Sequence, residues 1–270
     1  MRRLINREPG RASAFVLAAL PFVLLVALYL AASDARLSLN PDDKLLPSPA
    51  SFVDAIGRMA FEEDQRSGDV LLWKDTAASL QRLAMGLAIA AVTALVLGTT
   101  IGAIPYVRTT LGPFVGVVAM IPPLAILPIL FITLGLGEVA KVALIVLGVT
   151  PVMIRDLAFR VSEIPRELIL KAETLGASTW QLLLRVILPM LLPKLIRALR
   201  LALGPAWLFL IAAEAIASTE GLGYRIFLVR RFLAMDIILF YVAWITFLAF
   251  TMDWLLGRLN RRFFAWSERA

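Results

Sequence analysis

Charge interrupts the apolar stretches of this chain only at long intervals, so its residues group into runs. A helix crosses a bilayer with about 20 apolar residues at 1.5 Å each, and six runs come near that length: 12–32, 83–104, 113–134, 139–154, 195–217 and 237–256. The fourth is short and extends past Arg155 by snorkelling and tilt. Pro122, Pro123 and Pro128 enter the third run, and Gly204 with Pro205 breaks the fifth. A proline leaves a helix carbonyl without its donor, which suits a bend in a cavity-lining helix and equally a packed kink. The pattern predicts an all-α membrane protein of about six spans. It has a leader and first helix over 1–32, an outer segment over 33–82, a core over 83–257 with a loop at 157–194, and a tail over 258–270.

The first run follows a basic leader, MRRLINREPGR. Its apolar core exceeds the 7–15 residues usual in a cleavable signal peptide, and no small-x-small site precedes Asp34, so an uncleaved helix is expected. With the N-terminus inside, 17 of the 27 Lys and Arg residues fall on inner segments and 10 on outer ones. That bias puts both termini in the cytoplasm. The outer segment reads as a proline-broken strap followed by a short amphipathic helix, with Phe52, Ile56 and Met59 or Ala60 on one face; packing on the bundle accounts for it. No internal repeat stands out.

The loop at 157–194 is polar and carries helix signals. Pro165 suits a first helical position, and Leu168, Ala172 and Leu175 recur at helical spacing while Arg166, Glu167, Lys171, Glu173 and Thr174 point elsewhere. Gly176 is placed to end that helix in the left-handed conformation. After Ala177, Ser178 and Gln181 form a capping-box pattern that starts a second helix. Its apolar side holds Leu183, Val186 and Ile187, until Pro189 disrupts it. A helix, a glycine turn and a helix either shield the ends of the bundle or dock into a groove on a partner.

Composition narrows the chemistry. The chain is 60% hydrophobic and 17% charged, with a mean hydropathy of +0.84, so its solvent is largely lipid. It has neither cysteine nor histidine, which removes thiolate and imidazole catalysis and the usual zinc and haem ligands. A net charge of +7 and a pI near 10.2 fit a membrane protein rather than a nucleic-acid binder, because no basic stripe carries interleaved aromatics. A P-loop needs glycine directly before lysine; the five lysines follow Asp43, Trp73, Ala140, Leu170 and Pro193, so ATP is not bound by that route.

Four segments carry a resemblance. TLGASTWQLLLRVILP at 174–189 resembles the cytoplasmic EAA loop of ABC importer permeases, with Ala172, Gly176, Leu188 and Pro189 in register. Leu170 and Lys171 stand where that loop has its glutamate and first alanine. DTAASLQRLAMGLAIA at 75–90, IPPLAILPILFITLGLGEVAK at 121–141 and AEAIASTEGLGYRI at 213–226 resemble segments of permeases for nitrate, sulfonates and taurine. The resemblance implies a type I ABC importer permease fold in a bacterial inner membrane and a function as transport subunit, not enzyme. It also implies a periplasmic solute-binding protein, a second permease copy, and a separate ATPase that uses ATP and Mg²⁺ and seats Glu167, Lys171, Ala172, Glu173, Gly176, Ala177, Ser178 and Pro189.

Met120, Pro122, Pro123, Trp207 and Glu214 are candidates for the translocation path or its gate. Glu214, deep in the fifth run, is costly there unless paired; a gate residue and a structural carboxylate bonded to a neighbouring helix or to the 218–223 loop are both open. Asp253 is expected to face headgroups beside Arg258, Trp254 and Trp266 to anchor at the interface, and Arg225, Arg230 and Arg231 to meet a binding protein or lipid. A self-contained carrier or channel would spread ionisable residues through several midplanes, where only Glu214 qualifies. A non-transporting scaffold would tolerate changes in the loop.

Overall fold

The computed structural model describes residues 9–41, 43–65 and 67–268; Arg2, Arg3, Arg7, Arg66 and Arg269, which entered the charge bias, lie outside them. The helices in chain order are α1 (Arg11–Leu39), α2 (Pro49–Ala60), α3 (Leu71–Ala103), α4 (Pro105–Val118), α5 (Leu127–Leu134), α6 (Glu138–Ser162), α7 (Arg166–Thr174), α8 (Thr179–Leu182), α9 (Leu188–Ala217), α10 (Leu222–Val229) and α11 (Met235–Phe263). No strand occurs among the described residues.

By length and composition α1, α3, α6 and α11 can cross a membrane, and α4 with α5, bent by 79° at its break, is either a broken fifth span or a re-entrant loop. The expected third run is therefore not a continuous helix. Pro122 and Pro123 start a 3-10 turn, Pro123–Ile126, instead of kinking an α-helix. The 30-residue α9 stands for the expected fifth run but is not among the compositional spans; it carries Lys194, Arg197, Arg200 and Glu214. It nevertheless packs against α3, α6 and α11.

Three expectations move for a physical reason. Helix α3 begins at Leu71, twelve residues before the apolar run, because Asp75, Ser79 and Arg82 lie in its first turns and are buried with partners rather than exposed. Pro189 does not end the second loop helix. The segment from Leu183 to Ile187 is a π turn in which Leu188 N–H bonds the carbonyl of Leu183, and this wider turn accommodates a residue with no N–H. Asp253, expected beside Arg258, instead accepts two hydrogen bonds from Arg200 across α9 and α11, at 2.7 and 2.8 Å, with its side chain 41% exposed.

Small residues on α3 explain its close approach to α6. Gly86, Ala90, Ala94, Gly98 and Gly102 recur every fourth position and are buried. A Cβ on Gly98 would lie 2.7 Å from Leu157 Cβ, and one on Gly102 would lie 2.6 Å from Val161 Cβ. In lipid there is no hydrophobic gain from joining two apolar helices, so close van der Waals packing of this kind supplies the association. Gly148 does the same for α6 against the Phe209 ring of α9.

In α1 only Ser33 is buried. Its ties are to the strap: Tyr29 donates to the Pro47 carbonyl at 2.8 Å, Ser33 to the Leu46 carbonyl at 2.9 Å, and Arg36 pairs with Asp43. The Arg36 hydrogen bond holds the Asp43 carboxyl below the usual carboxylate range. Helix α2 starts at a Ser48 cap with Pro49 in its first turn and buries Ala55 and Ala60. Phe52 and Met59 are half-buried beside them, while Ile56, expected on that face, is 36% exposed.

Gly98→Leu is expected to force α3 from α6 and destabilise the bundle by about 1–3 kcal/mol. Gly116→Ala, where a Cβ would meet nothing within 4 Å, is expected to change little; thermal unfolding of both variants in detergent checks the contrast.

Candidate functional site

Two clusters lie at opposite ends of the bundle. At one, the first turns of α3 present Asp75, Ser79 and Arg82 on a single face, at the i, i+4, i+7 spacing of a helix. Arg82 is 2% exposed and its guanidinium spans three elements. Its Nη1 donates to Glu214 Oε1 of α9 at 2.7 Å and to the Glu220 carbonyl at 2.9 Å, while its Nη2 donates to Glu138 Oε1 of α6 at 2.9 Å. Lys141 donates to Glu138 at 2.7 Å and to Ser218 at 3.1 Å.

The turn entering α10 is held from the same face. The N–H groups of Gly221, Leu222 and Gly223 donate respectively to Asp75 Oδ1, Ser79 Oγ and Glu214 Oε2, each at 2.9 Å. A helix N-terminus has unpaired N–H groups and positive potential, so two carboxylates and a hydroxyl satisfy α10 where no side chain of its own turn caps it. Gly221 has φ +123, and a Cβ there would lie 2.5 Å from the Glu214 carboxyl carbon, so glycine is required for both reasons. Asp75 also takes Arg225 Nε at 2.8 Å and the Tyr241 hydroxyl of α11 at 3.2 Å.

Glu214 is fully buried. Ser79 donates to both of its oxygens, at 2.8 and 3.0 Å, and Arg82 and Gly223 complete its bonding. The structure thus places Glu214 in the clamp on the 218–223 loop, with both oxygens engaged. Trp207 is also buried, at 4% exposure, whereas Met120 is 75% exposed and stands with Pro122 and Pro123 at the break between α4 and α5. Burial therefore separates Trp207 and Glu214 from Met120, while the Pro123–Ile126 turn packs against α9. Arg225, expected on the outer face, turns inward to Asp75.

At the other end, α7 and α8 form the helix pair. Helix α7 starts one residue after Pro165 and is closed by Gly176 at φ +79. Gly176 N–H bonds the Glu173 carbonyl at 2.9 Å and Ala177 N–H the Ala172 carbonyl at 3.0 Å, the two bonds of a Schellman motif. Ser178 N–H then bonds Gln181 Oε1 at 2.9 Å while Gln181 N–H bonds Ser178 Oγ at 3.3 Å, a complete capping box. Helix α7 has no buried residue. Leu168 and Leu175, expected on its apolar face, are 43% and 80% exposed, and Trp180 is 67% exposed; Ile169 and Ala172 turn toward the bundle instead. A cavity of about 410 Å³ lies beneath the pair, lined in part by Arg108, Arg166 and Glu173.

The family described as binding-protein-dependent transport system inner membrane component matches residues 86–265. This chain belongs to that family. It is similar to the taurine transport system permease protein TauC of Escherichia coli (strain K12), with 37% identity over 82% of this chain and 80% of that protein. The putative aliphatic sulfonates transport permease protein SsuC of the same strain is 30% identical over 92% of this chain and 90% of its own length. Among solved structures, the inward facing conformation of the MetNI methionine ABC transporter matches with a TM-score of 0.60 at 20% identity, covering 71% of this chain and 96% of that one; this shows the shared fold. The chain is thus a membrane-spanning ABC transport permease.

For a permease of this family the sequence offered Glu214 without its partners. Asp75, Ser79, Arg82, Glu138, Lys141 and Tyr241 were missed as a cluster. The signal that could have found them is the polar i, i+4, i+7 stripe of 75–82 leading into an apolar run.

Arg82→Ala leaves Glu214 buried without its counter-charge and is expected to cost about 3–5 kcal/mol. Hydrogen exchange at the amides of Gly221, Leu222 and Gly223, which should accelerate, locates the loss at the turn; Arg82→Lys, lacking the fork, should rescue it only in part.

Proposed function

We propose that this permease moves a small polar solute of the taurine or sulfonate class inward across a bacterial inner membrane by alternating access, driven by a separate ATPase that seats on the α7–α8 pair. The observation that carries the reading is the pair itself. It protrudes with Leu168, Leu175 and Trp180 exposed, and its turn is held by both a Schellman motif and a capping box. A rigid, exposed apolar surface outside the spans suits docking better than shielding.

The chemical step then belongs to the partner. Two cassette subunits bind ATP and Mg²⁺, close, and carry the docked pairs with them; a second permease copy completes the pathway and a periplasmic binding protein delivers the solute. Helix α8, the π turn and α9 run without a break from Thr179 to Ala217. Displacement of the pair is thereby passed along one helical rod to the Glu214 clamp at the far end, as expected of near-rigid-body rocking. Both termini lie on the ATPase side in this reading. Glu173, three positions after Leu170 in the glutamate place of the EAA pattern, is exposed at the rim of the cavity beneath the pair, and Leu170 is 48% exposed. The similarity to TauC and SsuC is what supports the solute class.

Gly176→Pro cannot adopt a positive φ and loses the N–H that bonds Glu173, at a local cost of about 3 kcal/mol, and is expected to abolish solute uptake and co-purification of the ATPase while the bundle still unfolds cooperatively. Retention of both uptake and co-purification overturns the reading.

A further inference from the structure

Halfway along α6 and α9 runs a groove of about 210 Å³ whose lining includes Gly148, Val152, Met153, Ala198, Leu201 and Pro205. The α9 wall contains a proline inside its helix, Pro205. Proline has no N–H to return to the carbonyl four residues earlier, so the carbonyl of Leu201, itself a lining residue, loses its helix donor here. Leu201 is open, at 77% exposure. A Cβ on Gly204, beside the break, would meet nothing within 4 Å.

An acceptor without a donor is not tolerated against hydrocarbon; helix breaks at membrane depth are re-satisfied by neighbours or face water. Neighbours do not serve at this groove. No lining side chain carries a hydroxyl or an amide, and its one charged group, Asp156, accepts only and pairs with Arg160 at 3.4 Å. Water is then the remaining donor. The surface is otherwise apolar and holds no cation, so a hydrated polar solute meets it without being trapped.

We infer that the α6–α9 groove lines the solute pathway, with the Leu201 carbonyl as acceptor for water and for N–H or O–H groups of the passing solute. This rests on the transport reading above and departs from the path expected from sequence, since Trp207 and Glu214 are buried in the bundle and take no part.

The chain has no cysteine, so a single introduced thiol reports its own surroundings. The test uses the assembled transporter in membrane vesicles carrying Val152→Cys, Leu201→Cys or, as second choice on the same face of α9, Leu208→Cys. Val96→Cys serves as reference, being 56% exposed on the side of α3 turned from α6. Uptake by each groove variant before labelling serves as its own baseline, and the groove variants should react with a membrane-impermeant sulfonated thiol reagent about tenfold or more faster than Val96→Cys, as water access requires. Labelling should block uptake. Reaction no faster than Val96→Cys, with a lipid-soluble maleimide alone effective, overturns the pathway assignment in favour of lipid. Disulfide cross-linking between two copies at Leu201→Cys without labelling overturns it in favour of a closed interface. Pathway labelling in a transporter whose uptake survives Gly176→Pro upholds the groove and removes the ATPase-driven reading alone.

Discussion

A carboxylate with no exposed surface inside a lipid-embedded bundle is the constraint around which the rest of this permease is arranged. Glu214 is tolerable because Arg82 places a guanidinium 2.7 Å from it and because Ser79 and the Gly223 amide take its remaining acceptor capacity. The same guanidinium reaches Glu138 and the Glu220 carbonyl, so one charge joins α3, α6, α9 and the turn into α10. Replacing such a pair by apolar residues need not destabilise a protein, but breaking it does. What the pair secures here is position: a turn with a positive-φ glycine, three buried amides and a short helix are held by polar side chains of α3 and α9.

The clamp works because α3 and α6 are brought close enough for Arg82 to reach Glu138. That distance is set by glycine and alanine at every fourth residue, from Gly86 to Gly102. Backbone contact of this kind leaves little room for the two helices to slide, and makes them a frame against which α9 is the element that spans from end to end. The π turn at Leu183–Ile187 lets that element continue through Pro189 into the exposed helix pair. A protruding, doubly capped turn at one end and a buried ionic clamp at the other are therefore parts of one continuous helix system.

Much of this was legible before the structure. The capping box at Ser178 and Gln181, the glycine stop at Gly176 and the long apolar runs follow from local rules that act within a few residues, and the structure contains them. The departures share one cause. Asp75 and Arg82 appear, in sequence, to exclude the start of α3 from the apolar run, and Asp253 appears to belong with headgroups. Each is instead neutralised by a residue far along the chain: Arg225, Glu214 and Arg200. Pro189 was read by its local chemistry as a break, and a wider turn upstream absorbed it.

The sequence by itself determined that the chain is helical, that it dissolves in lipid, where its helix pair begins and turns, and that it supplies neither a phosphate loop nor a thiol or imidazole. These depend on composition and on spacings shorter than a helical turn or two. The tertiary structure alone decided which charges meet, that α4 and α5 are bent by 79° at their break, that the pair exposes Leu168 and Leu175, and that Leu201 and Pro205 open on a groove beside α6. Those include relations between residues 150 positions apart, as in Arg225 with Asp75. In a low-dielectric interior the partner of a charge or a freed carbonyl decides whether it can be there at all, and local pattern carries no record of that partner.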